Sequence, residues 1–275
     1  MKIAAIQMVS GVDVAANLLR ARALLAQAAD QGAELAVLPE YFCLLGQGDE
    51  AKLHIRERPG AGPIQDFLAG AAHEFGLWLV GGTLPLDAGA EASPSAQAYN
   101  STQVYSPQGE CVARYDKIHL FRYDNGRERY DEARTLRPGQ QPVRFVCQAR
   151  DGQAWRVGLS VCYDLRFPEL YRAHAQAGAD LLLVPSAFTH TTGQAHWEPL
   201  LRARAIENLA FVAAAAQGGV HENGRRTWGH TMVVDPWGRV LGQHAEGEAL
   251  VLAELDAAWL RQCRQQLPAL EHRVL

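Results

Sequence analysis

The sequence predicts an α/β protein, a four-layer α-β-β-α sandwich of two sheets built from two duplicated βαβαββ halves. Three observations carry this expectation. Gly32-Ala33-Glu34-Leu35-Ala36-Val37-Leu38-Pro39-Glu40-Tyr41-Phe42 is matched position by position by Gly178-Ala179-Asp180-Leu181-Leu182-Leu183-Val184-Pro185-Ser186-Ala187-Phe188, and an alanine-rich helical stretch precedes each. After each match comes a helix, a buried strand and a hairpin, about Ser106-Pro107-Gln108-Gly109 in one half and Asp235-Pro236-Trp237-Gly238 in the other. The repeat, roughly 130–145 residues long by counting, is too long for a solenoid. Finally, two sheets with helices on one side each cannot leave their other faces wet, so those faces pack together. Residues 1–275 read as a single domain, because 136–141 is the only loose stretch resembling a linker.

Taken in order, residues 2–9 alternate as a first strand, and 14–31 form an amphipathic helix rich in Ala and Leu, closed by Gly32. Residues 33–38 make the next strand, which delivers Glu40 to its carboxyl end. Pro63 suits the first turn of a helix running to about Phe75, and 77–82 is again a buried strand. The small residues of 87–98 read as a surface loop. Residues 100–105 and 111–115 form the first hairpin. In the second half, 155–161 is a strand ending on Cys162, 167–177 a helix with Pro168 in its first turn, 196–208 a helix, 209–216 a strand and 231–241 a hairpin. Residues 256–266 close the chain as a short helix, followed by an arm carrying Leu267, Leu270 and Leu275, whose apolar side chains need a surface to dock on.

Composition narrows the function. With 48% hydrophobic and 20% charged residues the chain is ordinary globular material. A net charge of −4, with arginines mixed among acids, excludes a nucleic-acid partner. The absence of a long apolar run excludes a membrane span. Five scattered cysteines, Cys43, Cys111, Cys147, Cys162 and Cys263, contain no C-x-x-C pair and read as reduced, which with the lack of a signal-like segment places the protein in the cytoplasm. His190 and His196 lack a third ligand at zinc spacing, so no metal is expected.

Chemistry concentrates where apolar strands give way to polar residues. Cys162 sits between a strand end and a helix start, where backbone N–H groups favour a thiolate. Glu40 and Lys117 lie at comparable strand ends. A thiol needs a base and a tetrahedral intermediate needs a fixed positive donor, so the three residue types form a set. A cysteine–histidine pair of papain type is the rival reading, and it leaves Glu40 and Lys117 without a role.

Leu38-Pro39-Glu40, Tyr115-Asp116-Lys117-Ile118-His119-Leu120 and Val161-Cys162-Tyr163-Asp164-Leu165-Arg166-Phe167-Pro168-Glu169 resemble, in order, the three catalytic segments of the nitrilase (carbon–nitrogen hydrolase) superfamily. The resemblance covers nearly the whole chain. It implies an amidase working through a thioester, without metal or organic cofactor. Glu40 would be the general base, Lys117 with the Tyr163 backbone N–H the oxyanion holder, Cys162 the nucleophile and Glu132 a second glutamate steadying Lys117. The segments 185–188, 192–198 and 229–238 are similar to the Nit branch, whose amidases act on 2-oxo acid amides. The wording Arg202-Ala203-Arg204-Ala205-Ile206-Glu207 and Ala213-Ala214-Ala215-Ala216-Gln217 looks closer to the deaminated-glutathione amidases than to the omega-amidases. Such substrates carry a carboxylate, for which Arg166 is the best-placed cation, with an ion pair to Glu169 as the alternative; Phe188 and Thr192 would line the same pocket. The stretch 122–130 departs from the branch in being more charged, which puts the leaving-group side in doubt. An inactive scaffold and an acyltransferase are the functional rivals, and a homodimer is the assembly the resemblance implies.

Overall fold

The computed structural model describes residues 1–89 and 97–274; the core of the loop expected at 87–98, and Leu275 of the arm, lie outside the described residues. One sheet follows the order Ala249–Glu254, Lys2–Gln7, Leu35–Val37, Trp78–Val80, Ala98–Tyr105, with Cys111–Asp116 on the far side of the last. The other runs Arg144–Gln148, Ala154–Leu159, Leu181–Leu183, Phe211–Ala214, Thr231–Val234, Val240–His244. In each, an antiparallel edge strand precedes three parallel strands, and two antiparallel strands follow.

The duplication extends to individual hydrogen bonds. Glu34 N–H donates to Lys2 O at 2.8 Å, and Asp180 N–H to Arg156 O at 2.7 Å; the acids' side chains accept in return from the Lys2 and Arg156 N–H groups. Ile3 pairs with Leu35 as Val157 pairs with Leu181. Counting on along each strand makes Met8 the counterpart of Cys162, and Glu40 that of Ser186.

Strand alternation builds the layers. Ile3, Ala5, Leu35 and Val37 join one buried cluster with Val157, Leu159, Leu181 and Leu183 of the other sheet. Ala4, Ile6 and Ala36, on the opposite face, pack under Leu24, Leu25, Leu68 and Ala72 of the helices Val14–Asp30 and Pro63–Phe75. The first of these helices is capped by Asp13, whose carboxylate accepts from Ala16 N–H at 2.8 Å. The helices Pro168–Gln176 and His190–Asn208 belong to the second half, burying Leu170, Tyr171, Trp197, Leu201 and Ala205.

Three features depart from the sequence reading. The helix expected from 196 begins at His190 and carries Pro199 inside it. Its early turn contains Gly193, a poor helix former, because a Cβ there would lie 2.3 Å from Trp228 Cβ; packing overrides propensity. The two edge strands, Arg144–Gln148 and Ala249–Glu254, were not expected. The charged stretch forms a small hairpin of Arg122–Asp124 and Arg129–Asp131.

Candidate active site

Cys162 opens a 3-10 turn, Cys162–Arg166, and not the helix itself, which starts at Pro168. Its φ of +50° is left-handed, a conformation costly for a residue with a Cβ and one that persists only when neighbours fix it. They do: Cys162 N–H donates to Pro185 O at 2.9 Å. Within the turn, buried Asp164 accepts from Val161 N–H at 2.8 Å, the Tyr115 hydroxyl at 2.7 Å and His119 N–H at 3.0 Å, with His119 Nδ1 also 2.7 Å away. Tyr115 and His119 flank Lys117, so one carboxylate ties the lysine's segment to the cysteine's turn.

Lys117 is buried between two acids. Nζ lies 3.0 Å from Glu40 Oε1 and 2.8 Å from Glu132 Oε2. Every remaining contact of these acids fixes their orientation. Asn100 Nδ2 donates to Glu40 Oε1 and Ala187 N–H to Oε2, both at 2.8 Å. The Tyr41 hydroxyl donates to Glu132 Oε1 at 2.8 Å and Phe121 N–H to Oε2 at 2.7 Å. Gly82, at φ +53°, lets the strand end turn close behind Glu40; a Cβ there would meet the Pro39 carbonyl oxygen at 2.1 Å.

The charges follow from this packing. Burial works against the Lys117 ammonium, but the charges of Glu132 and Glu40 prevail and hold its pKa above the ordinary lysine value. Burial likewise opposes the Glu132 carboxylate, and Lys117 overcomes it, lowering its pKa. The Cys162 thiol is pushed well above its ordinary value, first by burial and then by the Glu40 charge, with Lys117 opposing. Burial first and the Glu40 charge second thus work against the thiolate that the strand–helix junction was expected to favour.

These side chains line a cleft of about 300 Å³ whose wall includes all eight residues singled out from the sequence: Glu40, Lys117, Glu132, Cys162, Tyr163, Arg166, Phe188 and Thr192. The Arg166 guanidinium sits 5.3 Å from the Phe188 ring centre and 5.8 Å from that of Tyr163, with Nη1 3.2 Å from His196 Nδ1. Among the described residues it makes no ion pair with Glu169 or any other acid, and no histidine lines the cleft. No cluster of three metal-ligating side chains occurs among the described residues. No helix of these residues is long and apolar enough to cross a membrane.

Sequence reasoning missed Asn100, Tyr41 and Arg225. Asn100 lies in mid-strand, and Arg225 sits at the turn joining Gly218–Val220 to Arg226–Trp228, with no local pattern to mark either. Tyr41 follows Glu40 directly and shares its left-handed turn at φ +56°, a junction that could have been noticed.

Comparison with known proteins identifies the family. The profile of the Carbon-nitrogen hydrolase family matches residues 2–265. The deaminated glutathione amidase of Synechocystis is 42% identical over 98% of this chain and 97% of its own. Omega-amidase NIT2 of Danio rerio is 37% identical over 94% of this chain and 88% of its own. The crystal structure of Saccharomyces cerevisiae Nit3, a member of branch 10 of the nitrilase superfamily, superposes with a TM-score of 0.84 at 30% identity, covering 98% of this chain and 94% of that one. On the sequence profile, the relatives and the shared fold, this chain belongs to the carbon–nitrogen hydrolase (nitrilase) family and is a hydrolase of carbon–nitrogen bonds other than peptide bonds.

Proposed function

We propose that the chain is a cysteine amidase of the deaminated-glutathione type, with Cys162 as nucleophile, Glu40 as general base and Lys117 as oxyanion holder. The observation that carries this reading is that Cys162 shares its cleft with a carboxylate whose two oxygens are already oriented by Asn100, Lys117 and Ala187. A thiol held protonated needs a base within reach, and a base locked by three donors is aimed.

In the first step Glu40 takes the thiol proton as Sγ bonds to the amide carbon, and the carbonyl π electrons move to oxygen. Lys117 Nζ and the Tyr163 N–H receive that oxyanion. As the intermediate collapses, the C–N bond breaks and Glu40 passes its proton to the departing nitrogen. A thioester remains on Cys162. Glu40 then takes a proton from water, whose oxygen attacks the same carbon; the C–S bond breaks, the thiol is re-formed and a carboxylic acid leaves. Glu132, held by Tyr41 and Phe121, keeps Lys117 charged and in place. Arg166, without a carboxylate partner and flanked by Phe188, receives the carboxylate of a 2-oxo acid group, with Thr192 beside it.

The similarity to the Danio rerio omega-amidase favours 2-oxoglutaramate as the second substrate to try. A release assay with deaminated glutathione, 2-oxoglutaramate, simple amides, N-carbamoyl compounds and nitriles, with Cys162→Ala as blank, ranks them. Intact-mass detection of an acyl adduct on Cys162 that water removes supports the mechanism; transfer to an added amine in preference to water would make the chain an acyltransferase, and no adduct with any amide would make it a scaffold.

Cytoplasmic residence fits the five unpaired thiols. A homodimer fits the exposed apolar Leu267 and Val274 of the terminal arm, and light scattering should return twice the 30.1 kDa of the chain. A value near the chain's own mass would overturn the dimer.

A further inference from the structure

A second, more open cleft adjoins the first and shares Tyr41 and Arg225 with it. Its wall also carries Lys52 of the short helix Ala51–His54, together with Tyr130 of the charged hairpin. Arg166 lines the first cleft only. Besides Lys117, which Glu40 and Glu132 occupy, the site thus has one cation reserved to its own wall, and a pair of cations extending away from it.

Neither cation of the pair is neutralised. Lys52 is half-buried and makes no hydrogen bond or ion pair among the described residues; its Nζ lies 5.7 Å from the centre of the Tyr41 ring. Burial lowers its pKa from the ordinary lysine value, with the charges of Glu132 and Asp49 opposing. Arg225 has no carboxylate partner either. Its Nη2 donates to Ala187 O at 3.0 Å and its guanidinium lies 5.1 Å from the Tyr130 ring centre, while Nε is buried with no hydrogen-bond partner. A buried guanidinium N–H left unspent is costly unless something occupies it. Among the described residues Asp49 is the sole acid lining this cleft, and it is exposed.

We infer that Lys52 and Arg225 form a seat for a carboxylate on the leaving amine of the substrate. The inference rests on the amidase reading above, and direction comes from the chemistry. The nitrogen that departs takes its proton from Glu40, so the amine lies on the Glu40 side of the scissile bond. Tyr41 follows Glu40 and lines both clefts. An amine bearing a carboxylate a residue or two away would reach it. The substrate is then anionic at both ends, read by Arg166 on the acyl side and by Lys52 with Arg225 on the amine side. A primary amide, which releases only ammonia, leaves the second seat empty.

Two measurements test this. The first is turnover-free: calorimetric binding of cysteinylglycine and of its C-terminal amide. The free acid should bind about tenfold or more tightly to the wild-type protein, as charge-assisted hydrogen bonds lost on capping imply. In Lys52→Met the preference should shrink to a few-fold, and Lys52→Arg should restore it. The second is the ratio of kcat/KM for deaminated glutathione over its C-terminal amide, which should fall in parallel, mainly through KM. A general loss of fold lowers both substrates together and leaves the ratio alone. Equal binding of acid and amide by the wild type, or a preference untouched by both Lys52→Met and Arg225→Gln, overturns the seat. If the binding preference holds while no 2-oxo acid amide is hydrolysed, the seat stands and the acyl assignment fails.

Discussion

Asn100 grips Glu40 and Lys117 with different ends of the same residue. Its side-chain amide donates to Glu40 Oε1 at 2.8 Å and its carbonyl accepts from Lys117 N–H at 3.0 Å. The strand Ala98–Tyr105 therefore sets the separation between proposed base and proposed oxyanion holder. Asn100→Leu keeps the carbonyl and removes the amide. A charge-assisted bond of roughly 1.5–3 kcal/mol is lost, so kcat/KM should drop about tenfold to a hundredfold and the melting temperature should fall by several degrees. Unchanged kcat/KM in the folded variant would show that Glu40 needs no such clamp.

The Cys162 thiol should ionise at lower pH once Glu40 loses its charge. The carboxylate is one of the causes raising the thiol pKa, and Lys117 remains to lower it. In Glu40→Gln the pH profile of alkylation by a neutral reagent should move to lower pH, while amide turnover collapses. A profile that stays put or moves upward contradicts the arrangement. This separates a nucleophile activated by general base from one stored as thiolate.

Asp164 is buried and surrounded by donors, with the Val161 and His119 N–H groups, the Tyr115 hydroxyl and His119 Nδ1 all at 2.7–3.0 Å. Asp164→Asn turns one acceptor into a donor facing another donor. Stability should fall by roughly 2–4 kcal/mol, since a buried donor is left unsatisfied and a charged acceptor is gone. Denaturant unfolding measures it. A loss within about 0.5 kcal/mol, the range of surface changes, would mean that the tie between the lysine segment and the cysteine turn is slack.

Mild acid should weaken the fold. His174 and His221 are buried, and burial lowers both pKa values below the ordinary 6.5. His221 Nδ1 lies 2.9 Å from Ser10 O, and His174 Nε2 2.9 Å from Leu159 O. The unfolded chain binds protons below pH 6.5 that the folded chain refuses, so the stability present above that pH is lost as pH falls through this window. Each histidine contributes a slope of at most about 1.4 kcal/mol per pH unit. Urea midpoints should therefore decline from pH 7 to 5.5, and less so in His221→Gln. Midpoints flat across this range would contradict the burial of neutral imidazoles.

Much of this was legible because the signals were local. Glu40, Lys117 and Cys162 each end an apolar run, and the matched runs after Gly32 and Gly178 exposed the duplication, which then required two sheets face to face. The edge strand Arg144–Gln148 alternates, with Phe145 and Cys147 inward, yet it is short and flanked by polar residues that hide it. The start of the helix at His190 was hidden by Gly193, whose reason is the Trp228 ring brought by a distant hairpin. Asn100 and Arg225 were illegible for a similar cause: their partners lie on other strands and turns, and nothing within a few residues distinguishes them from ordinary polar positions.

The hydrogen bond from Ala187 N–H to Glu40 spans the two matching halves, and this makes the molecule a gauge of its own alignment. One half carries the acid and the lysine; the other carries the thiol, having Ser186 where the first has Glu40, while Met8 stands where Cys162 would. Neither half holds all three proposed catalytic groups, so on the proposed mechanism reactivity depends on how the two halves are seated against each other. Gentle warming should silence turnover while helices and strands still register as intact.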